Sequence, residues 1–172
     1  PVMGSYSATA PYNCPKSALI LSNACRYMAT NTINSGGGHG DALIGLALLA
    51  AGRTQDVAKV QTYARSLASW GAPTTGMTAW DWGYSGTFLS EYYLVTGDRR
   101  FLEEAIDKLE IALGFYLNMA DASGLITLPA RYDGVTGPIT CYWDGWSIGH
   151  RSAFVQMYAA GAAAAIVRME RA

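Results

Sequence analysis

Charge is what this sequence has least of. Only 15% of its 172 residues are Asp, Glu, Lys or Arg, against roughly 25% in an average soluble domain. The formal net charge of −1 leaves no electrostatic footprint for nucleic acid or for an anionic membrane surface. Long apolar runs are missing as well. None reaches the roughly 18 residues a spanning helix needs, and the Ala-rich stretch from Ala159 to Val167 is too short. The three cysteines, Cys14, Cys25 and Cys141, form no Cys-x-x-Cys. If both are helical, Cys14 and Cys25 lie about 16 Å apart at about 1.5 Å per residue, too far to bridge. Cys141 pairs with one of them, or all three are buried thiols. No Gly-x-Ser-x-Gly, phosphate loop or dinucleotide fingerprint occurs. Gly36-Gly-Gly-His-Gly40 follows a helical pattern rather than a strand and carries no Lys-Ser/Thr, which argues against a nucleotide cradle.

What remains is apolar, at 51% of residues. A chain of this length makes one domain with a sizeable core, and so little charge implies that it buries much of itself or meets a neighbour. It has no initiator Met and no signal peptide, which reads as a processed chain or a piece of a larger one.

Residues 1–13 lack periodicity and form a lead-in. Asn13 and Pro15 start a helix with an apolar stripe at Ala18, Leu21, Ala24, Cys25 and Met28. From Asp41 to Ala51 the residues are apolar all round, so that helix is buried, and Gly52 stops it. Thr54 caps an amphipathic helix with Val57, Val60, Ala64, Leu67 and Ala68 inward and Asp56, Lys59, Gln61 and Arg65 outward. Trp80-Asp81-Trp82 reads as an aromatic loop before a second buried helix, 84–96, closed by Gly97. Asp98 caps the next amphipathic helix, 99–119, with Glu104 and Lys108 as a supporting pair one turn apart. Asp133-Gly134 between Leu125–Tyr132 and Gly137–Trp143 signals a hairpin, so a small β-ribbon over 124–143 is expected. A last, nearly all-apolar helix covers 150–169.

Buried helices thus alternate with amphipathic ones, and the chain repeats. Gly38 matches Gly83, and Gly52 matches Gly97, both at an offset of 45. Periods of this size mean stacked helix pairs. The expectation is an all-α chain of three helical hairpins, half of a closed ring of six, forming a single repeat domain over 1–172.

The segments Ser35–Gly52 and Trp82–Asp98 resemble the repeats of bacterial α/α-toroid proteins with prenyltransferase/squalene-cyclase-like hairpins. That resemblance covers about 14–120 and implies an exported (secreted or periplasmic) toroid segment. The aspartate-rich motif of the cyclases and the zinc ligands of the prenyltransferases have no counterpart. Gly36-Gly-Gly-His39-Gly40 is also similar to an element of lanthionine synthetase-like toroids. That implies a zinc-dependent alternative, although the family's Cys-His-Gly triplet is absent.

The unusual residues cluster just before the buried helices: His39 and Asp41; Trp80, Asp81, Trp82 and Tyr84; Trp143, Asp144, Trp146 and His150. In a ring of hairpins these positions line one rim. Indole faces pack on sugar C–H faces, and paired carboxylates do acid–base work. The expected site therefore has Asp81 and Asp144 as the carboxylate pair, with His39 and Asp41 completing the polar rim. Trp80, Trp82, Tyr84, Trp143, Trp146 and His150 take the substrate. The expected ligand is carbohydrate; no metal or cofactor is called for, and no nucleic acid or membrane. Staples and caps account for the same residues structurally, so a self-assembling repeat module without catalysis is the alternative. Glu91, alone in an apolar helix, needs a partner, and Arg151 is the expected one. The small residues of 153–167 are expected to pack on further copies, giving a homo-oligomer, or on further chain.

Overall fold

The computed structural model describes residues 15–31, 38–69, 76–126 and 153–172. They form α1 (Pro15–Thr30), α2 (Gly38–Ala51), α3 (Val57–Ala68), α4 (Gly76–Thr96), α5 (Arg99–Asn118) and α6 (Ala153–Glu170). The chain is all-α, and no strand occurs among the described residues. Of the expected β-ribbon, residues 127–143 lie outside the described residues. Its beginning shows one isolated antiparallel bridge, Ala120 to Ile126.

The hub is α4. It packs between α2 and α6, while α3 and α5 lie against this inner row from one side and α1 lies against α2. This order follows from composition. A helix apolar all round needs neighbours on several sides, and α2, α4 and α6 are such helices; α3 and α5 need only one.

Glycine sets the spacing of the inner row. A Cβ at Gly45 would sit 2.3 Å from the Phe88 ring, and one at Gly83 would sit 2.5 Å from the Tyr158 ring. One turn on, Gly86 faces Ala162 and Ile166. Contacts that advance together along both helices, from Gly83 against Tyr158 to Gly86 against Ala162, mean that α4 and α6 run parallel. Phe88 and Leu89 are fully buried by this packing, each stabilising by roughly 1.5–3 kcal/mol relative to exposure.

Helix ends follow local chemistry. Gly52 and Gly97 take φ of 63° and 64°, the left-handed stop that glycine adopts without a Cβ penalty. Asp98 caps α5 as expected, accepting from the Phe101 N–H at 3.1 Å. The carboxylate also accepts from the Tyr92 hydroxyl at 3.0 Å and from Gln61 at 3.4 Å. Together with the Phe101 N–H, the largest influence, these bonds hold the Asp98 carboxyl below its ordinary value.

Several expectations need correction. Thr54 opens a 3-10 turn, Thr54–Asp56, rather than capping α3. Asp56 does not face water; it is buried because Arg53 grips both its oxygens, at 2.6 and 3.0 Å. Glu104 lies 3.5 Å from Arg100, and Lys108 donates to the carbonyl of Ala68 across to α3. The small residues Ala159, Ala162 and Ala165 of α6 are buried, with Ala162 against Gly86 of α4. Part of the face expected to meet another molecule is therefore covered within the chain, while Met157, Ala160, Gly161 and Ala164 of the same stretch are exposed. Cys25 is a buried free thiol; Cys14 and Cys141 lie outside the described residues.

Candidate site on the open face of the inner helices

The expected rim is only partly within view. His39 and Asp41 fall in the first turn of α2. Tyr142, Trp143, Asp144, Trp146, His150 and Arg151 lie outside the described residues. Trp80, Asp81 and Trp82, expected as a loop, belong to α4, which starts at Gly76. No proline interrupts 76–96, and the two glycines Gly83 and Gly86 give room to α6 rather than ending the helix. Trp82 is 2% exposed and belongs to the main core cluster. It packs the fold together and cannot stack on a ligand.

Asp81 is half-buried. Its charge reaches Tyr116, a fully buried residue of the last turn of α5. Burial pushes the Tyr116 hydroxyl well above its ordinary value, with further contributions from Tyr158 and from Asp81. Tyr158 is likewise raised, chiefly by burial and then by Tyr84. Asp81 therefore stands at the junction of α4 with the outer row. Asp41 is half-buried too, and adds to the burial that raises Tyr63 of α3. Both carboxylates lie toward the outer helices.

Among the described helices, the contacts of α4 leave one side over. Phe88 points to α2, Gly83 and Gly86 to α6, and Tyr92 to α5, with its ring 4.8 Å from Phe101. The remaining side, opposite α3 and α5, carries Tyr84, Thr87 and Glu91 at helical spacing, all half-buried. Thr87 donates to the Gly83 carbonyl at 2.9 Å, which leaves its oxygen able to accept. Tyr84 and Tyr158 lie 6.4 Å apart, centroid to centroid.

Glu91 pairs with Arg168 of α6. The partner comes from the expected helix but from its last turn; Arg151 is outside the described residues. The pair is not buried, with side-chain exposures of 29% for Glu91 and 60% for Arg168. Thr87 and Arg168 escaped the sequence reading. The signal was present in the spacing of Tyr84, Thr87 and Glu91 along a helix otherwise apolar.

Beside the C-terminal ends of α2 and α4 lies an apolar hollow of about 160 Å³, lined by Leu48, Leu49, Val57, Val60, Tyr92 and Val95. Its one guanidinium, Arg53, is held by Asp56 and by the Ser22 carbonyl at 3.3 Å, so the hollow offers packing and little chemistry. Among the described residues no group of His, Cys, Asp and Glu is arranged to hold a metal ion. No described helix is long and apolar enough to cross a membrane.

Residues 17–114 match a family described as a domain of unknown function (DUF6288), and the chain belongs to that family. The match spans α1 to most of α5. No curated protein and no solved structure matches the chain.

Proposed function

We propose that this DUF6288 chain is an arc of an α/α-toroid that binds a glycan on the open side of its inner helices. The observation that carries the reading is the row Tyr84, Thr87 and Glu91 on α4, joined by Arg168 from α6. An aromatic ring, a hydroxyl and a charged pair on a face clear of the outer helices suit a polyhydroxylated ligand, whose C–H faces pack on rings and whose hydroxyls seek charged partners. Asp41 and Asp81 lie toward the outer row, near Tyr63 and Tyr116, and the ligand rests on this face rather than on the rim. In this proposal further hairpins complete the ring.

The experiment is affinity electrophoresis of the 172-residue chain through gels containing mannan, xylan, dextran or polygalacturonate. Retardation in at least one, lost in Tyr84→Ala while the far-UV circular dichroism is kept, is the expected result. Equal mobility in all four gels counts against the reading.

A structural repeat module remains as a second reading, and the burial of Trp82 favours it. It predicts no retardation, together with self-association in sedimentation at micromolar concentration.

A further inference from the structure

We infer that Glu91 and Arg168 form a reader of vicinal diols, so that the ligand is a glycan presenting two adjacent free hydroxyls. This rests on the glycan reading above and names the chemistry that reading leaves open. Glu91 is an acceptor-only group and Arg168 a donor-only group, brought side by side from α4 and α6 through Oε1 and Nη2. A vicinal diol offers the complement at one sugar residue. One hydroxyl donates to the carboxylate while its neighbour accepts from the guanidinium, and both bonds are charge-assisted. The mutual contact uses one carboxylate oxygen and one guanidinium nitrogen, so Oε2, Nε and Nη1 remain to engage a ligand.

The surroundings fit a sugar ring. Gly161 faces the groove between the two helices, where the nearest atom to a built Cβ is the Thr87 hydroxyl oxygen at 3.9 Å. Gly161 is exposed and adds no side chain of its own beside Thr87. Thr87 supplies an acceptor one turn from Glu91, and Tyr84 a ring one turn further. An ion pair this exposed contributes little to stability, so the fold does not require it.

The test uses whichever polysaccharide the chain binds, before and after periodate oxidation followed by borohydride reduction. Periodate cleaves the carbon–carbon bond between adjacent hydroxyls and leaves isolated hydroxyls intact. The expected result is loss of binding to the oxidised polymer, with at least tenfold weaker binding by Glu91→Gln and Arg168→Gln to the intact one and unchanged circular dichroism. Undiminished binding after oxidation, or full binding by both variants, overturns the diol reading and leaves the glycan reading standing. Binding to none of the polymers overturns both.

Discussion

Where α4 meets α2 and α6, a small residue twice receives a large one: Gly45 takes the Phe88 ring, and Gly83 takes Tyr158. Along its open side the same helix carries Tyr84, Thr87 and Glu91, half-exposed and polar. On the sealed flanks a single methyl group collides with a ring; on the other side polar residues persist in an otherwise apolar helix, where Glu91 pairs with Arg168 and Thr87 bonds back to the Gly83 carbonyl. An ion pair as exposed as Glu91 and Arg168 contributes little to stability, so those two residues can change with little cost to the fold.

Substitutions can break this contrast in order of size. Trp82→Ala, on the sealed side, should cost most, about 3–5 kcal/mol as a large core truncation. A urea midpoint within error of the parent would mean that Trp82 is not part of the core. Gly45→Ala comes next. Alanine gains up to about 1 kcal/mol of helix propensity over glycine, but its Cβ meets a fully buried ring. Overpacking costs about 1–3 kcal/mol, so the net change is destabilising. Gly114→Ala is the matched control: nothing lies within 4 Å of its Cβ, and the same substitution should there raise the thermal midpoint.

Asp98→Ala removes the cap of α5 and a partner of Tyr92, costing about 1–2 kcal/mol. It also changes the acid response. The folded Asp98 carboxyl lies below its ordinary value, so its stabilisation is fully present above about pH 4 and is lost as pH falls through the folded value. Unfolding curves of parent and variant should therefore converge as pH drops below about 4; a constant gap down to acid denaturation contradicts the assignment. Glu91→Gln should matter least, under about 1 kcal/mol for an exposed pair, read as a near-unchanged midpoint. A large loss would put Glu91 on the sealed side of the comparison.

The inner helices were legible because burial on several sides strips polar residues from most faces, although Leu43 of α2 and Met157 of α6 are 47% and 62% exposed. The repeat was legible at one end only. Gly52 and Gly97 are equivalent in space, both left-handed stops. Gly38 and Gly83 are not, since one opens α2 and the other makes room for Tyr158 in the middle of α4. Glycine marks either a turn or a close approach, and sequence alone does not say which. That ambiguity turned the first turns of α4 into an expected loop and made Trp82 look available. Glu91 was rightly singled out as a charge seeking a partner, but the choice between Arg151 and Arg168 depends on the register of α4 against α6, which Gly83 and Tyr158 fix in three dimensions.

Resonance mapping of the ¹⁵N-labelled chain during titration with oligosaccharides of the bound polymer tests the central claim most directly. Shifts concentrated at Tyr84, Thr87, Glu91, Gly161 and Arg168 are predicted. Shifts gathered instead on α1 or around the hollow at Leu48 and Val95, or a spectrum unchanged at saturating ligand, would contradict it.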